Sequence, residues 1–443
     1  MKPTPKAPTL KDCIAEPQFD ILRVLALSRE EAMNPKRYFN WEELRYRKPP
    51  DGLDIKSWWV GIKLHRMQAR SFLPVMDCKG KAFSYSMLPC MLQQLHEIDM
   101  KAGGHLESRS PQGVSEVSRN KYLLHSIVEE AIMSSVLEGA VVTRAEAKEM
   151  LRQNRAPLNE HERMILNNYQ TMKWLLEKKN QPLTPAVVRD IHRLMTEGTL
   201  DDAAKAGALR EESDRVRVEH SITGEVFHVP PPAVELPKRL QQLCRFANGE
   251  EGDYLHPVLR AIVLHFWLAY DHPFIDGNGR TARALFYWAM LREGYWMFEY
   301  ISISREIYRH AKAYYGAYLN TERDDGDLNY FILNQLNAIT ASIDSLCRYI
   351  ARKQQEFSGL EASLRGRDNF NIRQKTLLNR LLRHRDIGIS VTGYCDEFHV
   401  VRQTARTDLT ALVDEGLLLC RKEGKQFLYT VSPDFEKRLS THL

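Results

Sequence analysis

The residues best suited to do chemistry lie in one run, His272-Pro273-Phe274-Ile275-Asp276-Gly277-Asn278-Gly279-Arg280-Thr281-Ala282-Arg283. His272 is the one group in that run that titrates near neutral pH, which makes it the candidate general base. Asp276 offers a hard carboxylate oxygen, suited to a Mg²⁺ ion completed by phosphate oxygens and water. Gly277 and Gly279 permit backbone angles that turn successive N–H groups into one concavity, an anion-binding nest. Arg280 and Arg283 stand three residues apart, so on a helix their guanidinium groups share a face beside the nest. These residue types together suit a polyphosphate. A solvent-exposed turn also favours Asp-Gly and Asn-Gly, but it needs neither the histidine nor two arginines at helical spacing.

Such a constellation requires a loop held between two helices. Upstream, apolar residues at Val258, Ile262, Val263, Phe266 and Tyr270 predict a helix from Pro257 to Tyr270. Downstream, Thr281 to Arg292 reads as a second helix closed by Gly294. The loop therefore runs into a helix N-terminus, whose unpaired N–H groups and positive dipole end favour an anion. Phe274 is expected to point into the core and fix the loop. Between Arg215 and Val229, β-branched residues alternate around Thr223-Gly224 and predict a β-hairpin, closed by Pro230-Pro231-Pro232. Elsewhere helical periodicity dominates, so the expected fold class is mainly α.

The pattern His-x-Phe-x-Asp-Gly-Asn-Gly-Arg-x-x-Arg resembles the signature of the Fic family, with no departure at a defining position. The resemblance continues through Gly207-Ala208-Leu209-Arg210, the hairpin, His228-Val229-Pro230-Pro231-Pro232 and His256-Pro257, over about residues 120 to 345. It implies a Fic-type helical bundle with a β-hairpin flap, and transfer of AMP from ATP to a Ser, Thr or Tyr hydroxyl of a protein target or of the protein itself. By resemblance, His272 deprotonates that hydroxyl and Asp276 binds Mg²⁺ between the α- and β-phosphates. Gly277, Asn278, Gly279 and Arg280 then hold the phosphates, Thr281 and Ala282 belong to the same binding run, and Arg283 takes the γ-phosphate. Phe227 and His228 in the flap, and Tyr314 on the adenine side, complete the implied nucleotide contacts. The flap registers an extended target segment by strand addition. ATP and Mg²⁺ are the cofactors the resemblance implies.

A second motif precedes the first. Leu123, Leu124, Ile127, Val128, Ala131, Ile132 and Val136 form a helical stripe that ends at Glu138 and is capped by Gly139. A carboxylate at a helix C-terminus is disfavoured by the macrodipole, at small cost when solvated. Here Ser134-x-x-x-Glu138-Gly139 resembles the inhibitory motif of the same family, and Ser134 lies one turn from Glu138 on the same face. The resemblance implies that Glu138 pairs with Arg283, excludes the γ-phosphate from its productive place, and makes residues 121–139 an inhibitory helix. Removal of AMP, or use of another nucleotide, stays open as an alternative on the same fold. So does an ATP-sensing transcription regulator, although an intact His272 favours an enzyme because phosphate binding alone needs no base.

The remaining chain bounds the context. Its 443 residues suffice for two to four domains. A net charge of +5 is too slight to mark a nucleic-acid binder. Seven cysteines without Cys-x-x-Cys spacing argue against a disulfide framework or a structural zinc site, and imply a reduced, cytoplasmic protein. Met1 to Leu10 lacks the apolar core of a signal peptide, and the apolar run Ala261 to Tyr270 is short and holds His265, so no membrane contact is expected. Residues 1–115 form an N-terminal accessory region whose aromatic residues (Tyr38, Trp41, Tyr46, Trp58, Trp59) read as packing. The Fic-like domain occupies 116–345 and a helical linker 346–366. Residues 367–443 follow the winged helix-turn-helix order: helices at Ile372–His384, Thr392–Phe398 and Arg402–Glu415, then two strands flanking Glu423-Gly424. Arg402, Thr404, Arg406 and Thr407 stand where a recognition helix would meet DNA. The module holds eleven Lys/Arg against eight Asp/Glu from Gly366 to Ser432, a balance that leaves DNA binding, protein docking and homodimer formation all open. The acidic run Asp324-Asp325-Gly326-Asp327 is read as outside the chemistry.

Overall fold

The computed structural model describes residues 7–440 apart from 15, 17–18, 33, 35–37, 104–115, 220–225, 366–368, 384–387 and 424–425. The fold is mainly α. Its contacts divide the chain into two units, one of residues 1–106 with 125–343, the other of 107–124 with 344–443. The expected boundary near residue 115, the turn at Thr223-Gly224 and the break at Gly366 lie outside the described residues.

The first unit opens with α1 (Ile21–Ala32), α2 (Ile55–Gln68), the antiparallel hairpin β1 (Arg70–Met76) and β2 (Ala82–Ser86), and α3 (Pro89–Ala102). The helices α4 (Glu116–Leu137), α5 (Arg144–Gln153), α6 (Glu160–Lys178) and α7 (Pro185–Thr196) follow. The short strands β3 (Val218–Glu219) and β4 (Val226–His228) pair where the sequence predicts a hairpin. After α8 (Leu236–Ala247) come α9 (Pro257–Asp271) and α10 (Asn278–Arg292), then α11 (Ile303–Arg309) and α12 (Ala311–Arg323). Helix α13 (Asn329–Arg365) begins in the first unit and ends in the second.

Helices α9 and α10 are the centre of this unit. A helix on a surface buries one stripe, but α9 buries Leu259, Ile262, Val263, Leu264, Phe266 and Trp267, residues from all around its axis. Helix α10 does the same with Leu285, Phe286, Tyr287, Trp288 and Met290. The chain passes from one to the other through His272 to Gly277, so the motif is fixed at both ends by packed helices.

The N-terminal region packs onto this core. Phe83 of β2 meets Phe266 and Tyr270 edge-on, with ring centroids 5.1 and 5.0 Å apart. Ser84 donates its N–H to the Gly326 carbonyl at 3.0 Å and accepts from Leu328 N–H at 2.8 Å. The acidic run that the sequence leaves idle is thus a docking point: Asp324 pairs with Lys63 at 2.6 Å, Asp325 with Lys81 at 3.0 Å, and Asp327 accepts from Tyr38 Oη at 2.7 Å.

In the second unit, α14 (Ile372–Arg383), β5 (Ile389–Ser390), α15 (Val391–Phe398) and α16 (Arg402–Asp414) precede β6 (Leu418–Glu423) and β7 (Gln426–Val431). The strands form one antiparallel sheet ordered β5-β7-β6, with Ile389 opposite Tyr429 and Leu418 opposite Val431. Its core gathers Leu377, Leu381, Tyr394, Leu409, Leu412 and Leu417. Buried Asp408 accepts from Asn371 Nδ2, Arg373 Nε and Tyr394 Oη at 2.7, 2.9 and 3.0 Å, which ties α14 and α15 to α16. Strand β5 was not foreseen, because two residues are too few to carry a period.

Candidate active site

His272 ends α9 in the left-handed region, with φ of 46°. For a non-glycine residue that conformation costs roughly 1–2 kcal/mol. The neighbouring fully buried Phe274, stacked on His192 at 3.7 Å and 4°, offsets it, since burying such a side chain contributes roughly 1.5–3 kcal/mol. The Asn278 side chain closes the loop on itself, accepting from Phe274 N–H at 3.0 Å and donating to its carbonyl at 2.9 Å. Gly277, with φ of 77°, starts α10, and a Cβ there would lie 2.7 Å from Thr196 Cγ2.

The His272 ring has a defined polarity. Its Nδ1 lies 3.1 Å from the Ala269 carbonyl, which can only accept. Nδ1 therefore carries the proton and Nε2 keeps its lone pair. Burial, with His228 and Arg210 nearby, lowers this imidazole to about 4 against the pull of Ala269 and Glu138, so it is neutral at physiological pH. Asp276 stands out from the loop, its side chain 61 % exposed, with one oxygen 3.2 Å from Arg280 Nη2. Among the described residues no group of three or more His, Cys, Asp or Glu could hold a metal. A lone exposed carboxylate fits an ion that takes its other ligands from phosphate and water.

Helix α10 makes its first intrahelical bond from Thr281 N–H to the Gly277 carbonyl at 3.0 Å, so the amides before it are the free N-terminal donors of the helix. The carboxylate of Glu138 lies over this end: a Cβ on Gly279 would fall 2.1 Å from its Oε1. Glu138 follows directly on α4, in the turn closed by Gly139 at φ 94°. Arg283 is 2 % exposed and faces the same carboxylate. Its Nη2 donates to Glu138 Oε1 at 2.8 Å and to the Ser134 carbonyl at 2.9 Å, while Nε donates to Ser134 Oγ at 2.9 Å. Burial would lower the guanidinium, but Glu138 holds it above its ordinary value.

Several residues of the expected binding run turn inward. Ala282 and Thr281 are fully buried, and Thr281 Oγ1 donates to the Gly277 carbonyl at 2.9 Å. Arg280 is buried too, donating to the Met195 carbonyl at 3.1 Å and to Asp276, so it braces the loop from beneath. Ring nitrogens of His228 are committed to Glu322 Oε2 at 2.9 Å and the Tyr270 carbonyl at 2.7 Å, which pins β4 to α9 and α12. Its neighbour Phe227 lies half-buried in the same strand. Tyr314 is buried, its hydroxyl 3.0 Å from His265 Nε2 and 3.2 Å from Tyr318 Oη. The adjacent Tyr315, 47 % exposed, is the ring that lies open beside Glu138, with its hydroxyl 3.4 Å from the Leu137 carbonyl.

Two further residues hold the motif in place. His192 accepts from Gly207 N–H at 2.9 Å and donates Nε2–H to the Asp276 carbonyl at 2.8 Å. Arg210 donates Nε–H to the His272 carbonyl at 2.8 Å and also reaches the Pro231 carbonyl. The Gly207-to-Arg210 segment pointed to this region, but His192 had no local signal beyond its place on an amphipathic helix.

The loop between α9 and α10, with a neutral histidine at its start and a glutamate paired to the buried arginine beyond it, is the candidate site of this helical domain. The sequence model of the Fic/DOC family matches residues 182–290, and this stretch is a Fic/DOC domain. Over 68 residues the chain is 46% identical to the protein adenylyltransferase Fic of Drosophila yakuba, and 44% identical to that of Drosophila grimshawi. Those 68 residues are 15% of this chain and 14% of either relative. The solved structure of a Fic family protein from Desulfovibrio desulfuricans G20 superposes with a TM-score of 0.51 at 17% identity, covering 79% of this chain and 98% of its own. That likeness concerns the fold.

Proposed function

We propose that the protein is an autoinhibited protein adenylyltransferase. The observation that carries this reading is the placement of Glu138 over Gly279 with Arg283 as its partner, at the helix end where a polyphosphate would sit. A carboxylate there occupies the seat of an anion, and the relatives that share the domain are named protein adenylyltransferases.

In this reading His272 Nε2 takes the proton of a target Ser, Thr or Tyr hydroxyl. The hydroxyl oxygen forms a bond to the α-phosphorus of ATP, the bond to the bridging oxygen breaks, and pyrophosphate leaves. The free amides that open α10 bind the phosphates, and Arg283 takes the γ-phosphate once Glu138 has withdrawn. Asp276 would hold Mg²⁺, which neutralises phosphate charge when bound. Arg280, Asn278, His192 and Arg210 keep this loop in shape. The hairpin β3–β4 offers an edge to an extended target segment. Tyr315, rather than Tyr314, presents a ring to the adenine.

Residues 367–443 are read as a winged-helix module for protein docking, on the even balance of their charges. The seven free cysteines accord with a cytoplasmic setting. No helix among the described residues is long and apolar enough to cross a membrane.

Intact mass spectrometry after incubation with ATP and Mg²⁺ tests the reading. Glu138→Gly protein should gain AMP on a hydroxyl residue and release one pyrophosphate for each AMP. Hydrolysis of ATP with no covalent product would refute it.

A further inference from the structure

The inhibitory helix does not touch α10 at Glu138 alone. The two helices meet along one line of polar contacts: Glu130 faces Tyr287, Ser134 faces Arg283, and Glu138 lies over Gly279. Each step of four residues along α4 is matched by a step of four back along α10, the spacing of one helical turn. The pair is antiparallel and in a defined register.

The rung farthest from the active site is the most densely bonded. Glu130 is 2 % exposed. Its Oε2 accepts from Tyr287 Oη at 2.8 Å, Ser302 Oγ at 2.8 Å and Ser304 N–H at 3.1 Å, and its Oε1 accepts from Ser304 Oγ. A buried carboxylate with four donors has a single place to sit, because any displacement leaves charge unsolvated. Its neighbour Glu129 points the other way, to Arg144 at 2.8 Å and Lys148 at 2.6 Å on α5, and so binds α4 to the helix that follows it.

We propose that Glu130 is a positioning residue for the brake: its bonds to Tyr287, Ser302 and Ser304 set the register that places Glu138 over Gly279. This rests on the reading of Glu138 as the brake. Loss of the Glu130 contacts lets α4 shift or lift, and releases Arg283 although Glu138 is intact. A mobile helix whose docked state loses one charged hydrogen bond shifts its equilibrium by about tenfold.

The test compares initial rates of self-adenylylation by full-length Glu138→Gly, Glu130→Ala, Glu130→Gln, Tyr287→Phe and Glu129→Gln proteins, together with amide exchange over residues 126–138. Glu130→Ala, which loses all four bonds, should be well over about tenfold faster than the unmodified protein. Tyr287→Phe, which keeps the ring in the core, should lie between them. Glu130→Gln should stay closer to the unmodified rate than Glu130→Ala, since its amide oxygen can accept the three bonds of Oε2 while its NH2 donates to Ser304 Oγ, and Glu129→Gln should stay at the unmodified rate. Amide exchange should quicken in Glu130→Ala but not in Glu130→Gln. Combining Glu130→Ala with Glu138→Gly should add nothing to Glu138→Gly alone.

An active Glu138→Gly protein beside Glu130→Ala and Tyr287→Phe proteins at the unmodified rate would overturn the latch and spare the brake. Faster exchange without faster transfer would do the same, and mark Glu130 as merely structural. If Glu130→Ala fails to fold, Tyr287→Phe decides. A silent Glu138→Gly protein would overturn the brake and the latch with it.

Discussion

Replacing Glu138 with Gly should destabilise the protein without nucleotide and make it respond to ATP as the unmodified protein does not. Arg283 is buried and loses the Glu138 carboxylate, keeping Ser134 Oγ and the Ser134 carbonyl. Breaking a fully buried ion pair costs about 3–5 kcal/mol. The Glu138 side chain is 26% exposed, so water reaches the vacated place and about 1–3 kcal/mol is the better figure. At roughly 2–4 °C per kcal/mol, the melting temperature should fall by about 2–12 °C. ATP with Mg²⁺ at about 100 times Kd should restore about 2.7 kcal/mol. The γ-phosphate then replaces the carboxylate, so ATP should outdo ADP in the variant and the two should act alike in the unmodified protein. Thermal shift with each nucleotide reads this out. An unchanged melting temperature, with the same ATP-to-ADP difference in both proteins, would refute the claim that Glu138 and γ-phosphate compete for Arg283.

Further outcomes are expected. With His272 lowered to about 4, kcat/KM of the Glu138→Gly enzyme should stay flat from pH 8 to about 5, and an acid limb near 6.5 would contradict its role as base. His272, His192 and His265, at about 4, 4 and 3, stay neutral in the fold. The unfolded chain therefore binds more protons below about 6.5, and the stability they contribute is lost as pH falls toward 3–4. Asp271, pushed up to about 6 by burial, opposes this between its unfolded value and 6, so the acid loss seen by denaturant titration should be smaller than three histidines alone would give. Asp276→Ala should weaken Mg²⁺-dependent ATP binding and transfer together in calorimetry and rate assays. Asp325→Ala, which breaks an exposed pair with Lys81, should cost about 0–1 kcal/mol of stability and leave chemistry unchanged. The isolated module of residues 367–443 should show weak DNA binding in gel shifts at physiological salt, and tight sequence-dependent binding there would overturn the docking reading.

Much of the site could be read because its parts are local. The residues from His272 to Arg283 are contiguous, and their flanking helices carry strong apolar periodicity, so loop and helix N-terminus followed from spacing alone. Sequence spacing does not say which side chains of a turn face outward. Asn278, Arg280, Thr281 and Ala282 point into the core because α10 is buried on every side, which its composition does not distinguish from a half-buried helix. The meeting of Glu138 with Arg283 spans 145 positions and could be anticipated only through a second motif. Contacts of the N-terminal region were hidden for the same reason: the bonds of Ser84 to residues 326–328 are backbone pairings between distant segments, and no residue type marks them. His192 acts singly from α7, where an isolated polar residue reads as surface, and Arg210 was marked only by the resemblance that its segment carries.

The central claim is that a phosphorus–oxygen bond forms at the α-phosphate, with Glu138 as the obstacle and His272 as the base. Incubating the protein with ATP labelled at either the α- or the γ-phosphate tests it directly. Glu138→Gly protein should take up the α label and none of the γ label, the unmodified protein should take up far less, and the Glu138→Gly, His272→Ala double variant none. Incorporation of the γ label, or equal uptake of the α label with and without His272, would contradict the account.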